Sequence, residues 1–242
     1  MKQKTKVDID NRIWELDAIR GIAIILVLAF HVPYFLETFA HAEVPMSPFL
    51  TFVRQYGGAF FIFLSGICVA FSRDSYKRGV IVFICGLVLT VATGALYELG
   101  YETQEVLMQW NILEMIGLSM ILYQYYRKWP NGAIIIIGMV IIVLGYYITE
   151  NVRVTNPNLY LLGFKTRDFI SFEWRPVLPN LGWFMLGSGL KPYIYKERKS
   201  LIPQITERTP IINVFCALGR WSLPIYMIHM PIYYIAIRYF VK

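Results

Sequence analysis

Residues 21–36 read GIAIILVLAFHVPYFL and decide the fold, because this apolar run is nearly as long as a lipid bilayer is thick. A transmembrane helix needs about 20 mostly apolar residues. The whole chain of 242 residues is also rich in apolar side chains, with 57% hydrophobic and only 16% charged residues. Ordinary soluble domains carry roughly 25% charged residues. The sequence therefore predicts a single all-α integral-membrane domain over residues 1–242.

Further apolar stretches follow the first, so we predict a polytopic helical bundle of about seven transmembrane helices. The predicted spans are residues 20–38, 51–71, 79–97, 106–126, 132–149, 176–194 and 221–240. Most of the 23 Lys and Arg residues fall at one end of these spans, whereas the connections 39–50 and 98–105 hold none. The positive-inside rule then predicts that segment 1–18 is cytoplasmic and that the C-terminus is external. We expect the protein to lie in the cell membrane. The outer connection 150–175 is long enough to be a substrate-facing cap.

The charge and cysteine patterns exclude other classes of protein. The net charge is +7, but Lys and Arg are scattered over short loops and form no stripe with interleaved aromatic residues. We therefore expect no nucleic-acid partner. The cysteines lie in or beside apolar stretches without CxxC spacing, which indicates reduced thiols and neither a metal site nor a disulfide framework. They are Cys68, Cys85 and Cys216.

Titratable side chains inside the predicted spans are the candidates for chemistry, because a charge at the bilayer centre costs roughly 2.5–3.5 kcal/mol. His31, Glu114 and His229 lie at similar depth in spans one, four and seven. A neutral imidazole can take a proton near pH 7, and a carboxylate or second imidazole can orient it. We predict that His31 is a general base, and that Glu114 and His229 line the acceptor site. Asn111, one turn before Glu114, faces the same way, and we predict that it binds substrate by holding a carbonyl oxygen.

Two charged residues precede His31 on its helix face. Arg20 lies eleven residues earlier, which places it within about 20° of His31 around the helix and about 16 Å away along the axis. Asp17 lies a further turn back. We predict that Arg20 and Asp17 fix the inner mouth of the site.

Several stretches resemble the motifs of a known enzyme family. Residues 12–23, RIWELDAIRGIA, followed by His31, resemble the opening signature of small bacterial transmembrane acyltransferases. The likeness is to the catalytic domain of heparan-alpha-glucosaminide N-acetyltransferase, which is related to a broader acyltransferase superfamily. Weaker likenesses continue along the chain, at residues 60–66, 112–117, 176–179 and 182–187, and a closing motif follows at 222–231.

The resemblance implies transfer of an acetyl group from cytoplasmic acetyl-CoA to an amine or hydroxyl of a sugar or glycan. In the broader superfamily, the residues matching His31 and Arg20 are functional. In the heparan-modifying enzymes the catalytic histidine lies in the first outer loop and matches His41, so two assignments compete. Glu114 departs from the pattern, because relatives often carry a basic residue or a histidine there. The basic residues that would attract the CoA phosphates are Arg73, Lys77 and Arg78.

Two other functions fit the same features. In a small proton- or ion-coupled transporter, the buried histidines and glutamate would form a relay along a path between broken spans. In a seven-helix receptor or assembly partner, they would only hold the helices together. Larger acyltransferases have ten or eleven spans, so a homodimer is one way to complete a catalytic tunnel.

Overall fold

The computed structural model describes residues 13–196, 199–202 and 209–240, and the chain is helical throughout most of these ranges. The α-helices are α1 (Trp14–Ala40), α2 (Pro48–Val69), α3 (Ser75–Glu98), α4 (Ile112–Tyr126), α5 (Asn131–Asn151), α6 (Val177–Ile194), α7 (Pro210–Arg220) and α8 (Ser222–Phe240). Two short 3₁₀ helices cover Gln104–Val106 and Pro157–Leu162. Within the described ranges no strand forms, and the prediction of an all-α fold is confirmed.

Seven of these helices overlap the seven predicted spans, and α7 is an additional helix. By length and composition, α1, α2, α3 and α5 can each cross a membrane. The pair α7 and α8, bent by 75°, makes a fifth span if it is counted as one. With 15 residues, α4 is shorter than a bilayer-spanning helix needs. The count of seven spans and the orientation of the termini therefore stay predictions.

The outward faces of α3 and α5 are apolar, as lipid contact requires. Exposed aliphatic and aromatic side chains recur at three- and four-residue spacing along one face of each helix. On α3 they are Ile81, Ile84, Val88 and Val91, and on α5 they are Ile136, Val140, Val143 and Tyr147. Apolar faces of this extent are unfavourable in water, so the chain is an integral membrane protein.

Helix starts follow ordinary capping chemistry. The Ser47 hydroxyl accepts the backbone N–H of Leu50, and Pro48 begins α2. The Asp74 carboxylate accepts the backbone N–H of Lys77 at the start of α3. Such caps satisfy backbone donors that have no partner inside the helix.

Helix α1 packs against α2, α7 and α8, and α2 also packs on α6. Helix α3 packs on α4, and α5 packs on α6. Gly21 of α1 and Gly219 of α7 lie where the two backbones nearly touch. A Cβ at either position would collide with a backbone carbonyl oxygen of the other helix. This close approach places Arg20 and Arg220 at the same end of the bundle, which we call the arginine end.

The long connection between α5 and α6 folds back onto the start of α4. The backbone N–H of Phe172 donates to the Leu107 carbonyl (2.8 Å), and that of Arg175 donates to the Trp110 carbonyl (2.7 Å). We call residues 171–175 the cap segment, and the end of the bundle on which it lies the cap end. The last residues of the connection 150–175, which we predict to be a substrate-facing cap, thus lie against the start of α4.

Candidate active site

The centre of the site is a pair of buried imidazoles on α1 and α8. The ring centroids of His31 and His229 lie 4.9 Å apart and the rings meet nearly edge-on. Only 6% of His31 and 4% of His229 is exposed. The structure therefore brings together two of the three side chains that were predicted to meet at mid-depth.

Backbone carbonyls determine which ring nitrogen carries the proton. His31 Nδ1 lies 2.7 Å from the carbonyl oxygen of Val27, and His229 Nδ1 lies 2.6 Å from that of Tyr226. A carbonyl only accepts, so both Nδ1 atoms donate and, in the neutral rings, both Nε2 atoms keep a lone pair. His229 Nε2 is buried and finds no hydrogen-bond partner among the described residues. This lone pair is therefore free of other described partners and can accept a hydrogen bond from a bound molecule.

The cap segment adds an acidic residue to the site. The Tyr226 hydroxyl donates to Glu173 Oε2 (2.6 Å), and the Ile112 backbone N–H donates to Glu173 Oε1 (3.3 Å). The Tyr34 hydroxyl donates to the Phe172 carbonyl (2.9 Å), which ties the same segment to α1. Burial raises the pKa of Glu173, and the charge of Arg175 and the Tyr226 hydroxyl offset part of that rise.

Arg175 is the basic residue of the cap segment and lies against α2 at Gly58. A Cβ at position 58 would lie 2.5 Å from the guanidinium carbon of Arg175, so the glycine leaves the space that this guanidinium occupies. Arg175 Nε is buried and has no hydrogen-bond partner in the described part of the chain.

Glu173 and Arg175 were not predicted as site residues, because they lie in a loop. The available signal was an acid and a base within the otherwise apolar stretch SFEWRP, residues 171–176, directly before a predicted span. That pattern indicates charged groups near the membrane, but it does not show which helices the loop covers.

A cavity of about 290 Å³ lies between the arginine end and the histidine pair. Its walls are mostly apolar and come from α1, α2, α3, α4, α7 and α8. On α1 the lining residues extend from Arg20 to Val27, about 10 Å along the helix. Since His31 donates to the Val27 carbonyl and His229 to that of Tyr226, which also lines the cavity, its inner end lies one helical turn from both imidazoles.

Three guanidinium groups lie at the other end of the cavity, on Arg20, Arg78 and Arg220. Arg20 Nη2 donates to the Ser222 hydroxyl (2.9 Å), while its buried Nε finds no partner within the described ranges. Arg220 was not predicted as a site residue. The three predicted CoA-phosphate residues are all exposed, and of them Arg78 lines the cavity, whereas Arg73 and Lys77 do not. Asp17 is buried on α1, one turn before Arg20.

The structure places Glu114 and Asn111 in a different arrangement from the one predicted. Because α4 begins at Ile112 and not at 106, Glu114 lies in its first turn rather than eight residues into a span. Asn111 is the N-cap, and the two residues form a capping box in which Glu114 Oε2 accepts the Asn111 N–H (2.8 Å). Thr90 of α3 also donates to Glu114 Oε2 (3.1 Å). Their roles in acceptor binding stay predictions.

His41 lies apart from the imidazole pair. It follows the last residue of α1, ten residues after His31, and its side chain is exposed. Its φ of 50° is left-handed, and its backbone N–H donates to the Leu36 carbonyl, which closes the helix. His41 lines an open surface pocket together with Glu37 and Glu43.

Comparison with known families gives a match over most of the chain. The family described as heparan-alpha-glucosaminide N-acetyltransferase, catalytic, matches residues 12–231. This range contains both imidazoles, the cap segment and the arginines of the cavity, and membership of the family implies N-acetyltransferase activity. Searches of curated proteins and of solved structures found no match. The predicted family is thus confirmed, and the chain belongs to the family of heparan-alpha-glucosaminide N-acetyltransferase catalytic domains.

Proposed function

We propose that the protein moves an acetyl group from cytoplasmic acetyl-CoA to an amine or hydroxyl of a sugar or glycan. The observation that carries this proposal is the cavity that begins among three arginines and ends one helical turn from two buried imidazoles. A donor with a polyanionic head and a long, narrow arm fits such a passage, and acetyl-CoA has this shape. It is also the donor that the family uses in general.

The arginine end would hold the phosphates of the donor. Guanidinium groups bind phosphate oxygens through short, charge-assisted hydrogen bonds. Arg20, with a buried unpaired Nε, and Arg220 are the strongest candidates, together with Arg78. Arg73 and Lys77 would attract the anion from solution, and Asp17 would balance the charge of Arg20.

The chemistry at the other end is acyl transfer with a general base. The acceptor amine or hydroxyl attacks the thioester carbonyl while His31 Nε2 takes its proton, a C–N or C–O bond forms, and the C–S bond breaks to release the CoA thiolate. The hydrogen bond to Val27 holds His31 in the tautomer that this step requires. His229, with its unpaired Nε2, would take up or return the proton.

The proposed topology places the arginine end in the cytoplasm and the cap end outside. Basic residues at the arginine end include Arg20, Arg78, Arg127, Lys191 and Arg220. The positive-inside rule supports this orientation. The acceptor would then reach the histidine pair from the side of the cap segment. We further propose the cell membrane as the location, and leave a homodimer as the assembly to be tested.

The test is transfer of label from radiolabelled acetyl-CoA to glucosamine by purified protein in lipid nanodiscs. We expect time-dependent formation of labelled acetylglucosamine, and release of one CoA for each product molecule. If the protein neither transfers label to any amino sugar or sugar hydroxyl tested nor releases CoA, the proposal is wrong. Ion flux in liposomes without acetyl-CoA would instead support a transporter.

A further inference from the structure

The Glu173 carboxylate joins the cap segment to two of the core helices. Its Oε2 accepts the Tyr226 hydroxyl of α8 (2.6 Å) and its Oε1 accepts the Ile112 N–H of α4 (3.3 Å). Its backbone carbonyl accepts the N–H of Gln109 (3.1 Å). The carboxylate therefore has two hydrogen-bond donors, the backbone of the same residue has a third, and the carboxylate holds the Tyr226 side chain in turn.

Tyr226 continues this series of contacts to the histidines. Its ring centroid lies 5.0 Å from that of His229, and its backbone carbonyl accepts the His229 Nδ1–H (2.6 Å). The His229 ring in turn lies 4.9 Å from that of His31. Tyr226 also lines the cavity and is only 6% exposed. A shift of the Tyr226 side chain would therefore disturb His229 and the inner end of the cavity together.

We propose that Glu173 is a positioning residue, which fixes the His31–His229 pair by holding the Tyr226 hydroxyl; the inference rests on the proposed acetyltransferase function. Replacement of the carboxylate by an amide leaves one acceptor oxygen for two donors, the Tyr226 hydroxyl and the Ile112 N–H, and we expect the side chains to shift as one donor loses its partner. Displacement of a catalytic group by about 1 Å can cost roughly 100-fold in rate. Binding of the donor phosphates at the arginine end does not depend on this link.

The same helix carries a matched control. The Tyr234 hydroxyl donates to Glu102 Oε1 (2.6 Å), which repeats the Tyr226–Glu173 pairing eight residues further along α8, about 12 Å away. Arg238 pairs with the same carboxylate. The Tyr234 ring packs on Phe39, near the end of α1. This pair therefore has the same chemistry and hydrogen-bond length, and within the described part of the chain it forms no hydrogen bond or ring contact with either imidazole.

The kinetic test compares Glu173→Gln, Tyr226→Phe, their double variant and Glu102→Gln, with acetyl-CoA and glucosamine as substrates. We expect kcat of Glu173→Gln and of Tyr226→Phe to fall roughly 10- to 100-fold, with KM for acetyl-CoA changed by less than about twofold. The kcat of the double variant should be little lower than that of either single variant, because both substitutions break the same hydrogen bond. Glu102→Gln should keep wild-type kcat. Additive losses, or an unchanged kcat for Glu173→Gln, would overturn the proposal.

A second measurement tests the link without relying on acetyl transfer. Diethyl pyrocarbonate modifies accessible imidazoles, and mass spectrometry gives the rate for His31 and His229 separately. We expect Glu173→Gln and Tyr226→Phe to change the rate at His229 by about threefold or more, through local opening, and Glu102→Gln to leave it unchanged. Equal rates in all four proteins would contradict the positioning role. A wild-type protein that transfers no acetyl group would refute the proposed function. The diethyl pyrocarbonate rates alone would then decide whether Glu173 positions the histidine pair.

Discussion

Two buried polar clusters in this protein differ in how completely their atoms are paired. In the capping cluster, Asn111 and Glu114 bond to each other, and the Asn111 amide donates to the Gly86 carbonyl and to the Thr90 hydroxyl. The Thr90 hydroxyl donates in turn to Glu114 Oε2. In the histidine cluster, His229 Nε2 has no partner among the described residues, and a cavity ends one turn away. The first cluster is arranged to hold α3 on α4, whereas the second retains an acceptor for chemistry. Equal burial thus says little about function until the hydrogen bonds are counted.

The largest effect should come from removing the base of the histidine cluster. We expect His31→Ala to lower kcat about 10²- to 10⁴-fold, because general-base catalysis by a placed histidine contributes that much. His41→Ala serves as the matched variant, since His41 is exposed and lies outside the pair. Initial rates of acetyl transfer in nanodiscs measure both. A larger loss for His41→Ala than for His31→Ala would reverse the assignment and place the catalytic histidine in the loop.

The next effect concerns the arginine end of the cavity. We expect Arg20→Gln to raise KM for acetyl-CoA roughly 10- to 100-fold, because a charged hydrogen bond to phosphate contributes about 1.5–3 kcal/mol. Arg127→Gln is the control, since Arg127 lies at the same end but does not line the cavity. Titration of acetyl-CoA at saturating acceptor gives both values. Equal KM values for the two variants would show that the donor enters elsewhere.

A smaller effect on stability should mark the capping cluster. Asn111→Ala removes the N-cap of α4 and the amide that donates to the Gly86 carbonyl (2.9 Å). We expect a loss of about 2 kcal/mol in the free energy of unfolding, at the upper end for a lost cap. Because the Asn111 amide is fully engaged in bonds within the protein, we expect specific activity per folded molecule to stay within about twofold of wild type, a result that would count against its predicted role in substrate binding. Thermal unfolding in detergent, followed by circular dichroism, measures the loss. A collapse of kcat at unchanged Tm would move Asn111 into the catalytic machinery.

The smallest effect is the pH dependence that Glu173 contributes. Burial raises the pKa of this carboxyl above its ordinary value of 4.5. Between the unfolded and folded pKa values the folded state binds more protons, so the free energy of unfolding falls as the pH rises. We therefore expect the Tm of wild type minus that of Glu173→Gln to be largest near pH 4.5 and to decrease above it. A difference that grows with pH would mean that the folded protein stabilises the ionised carboxylate.

Much of the helical architecture was predictable from the sequence, because long apolar runs with basic residues at one end indicate spanning helices. The equal depth of His31 and His229 in their spans also predicted that they meet. Both inferences use only local helix geometry, a rise of about 1.5 Å per residue.

Other features depend on contacts between distant parts of the chain and were not predictable in this way. The start of α4 was misplaced because the capping box at Asn111 ends the preceding loop later than hydropathy indicates. The roles of Glu173 and Arg175 arise from a loop that folds back by backbone hydrogen bonds to residues 107–110. The short α7 was missed because its residues lie in a segment that was read as a connection between spans.

The most direct test of the account is a cryo-electron microscopy map of the protein in nanodiscs with acetyl-CoA. We predict density for the phosphates at Arg20, Arg78 and Arg220, with the pantetheine arm along the cavity and the thioester next to His31 and His229. Reacting atoms in such a complex lie about 3–3.5 Å apart. Density for CoA on another surface, with the cavity between the arginines and the histidine pair left empty, would contradict the account.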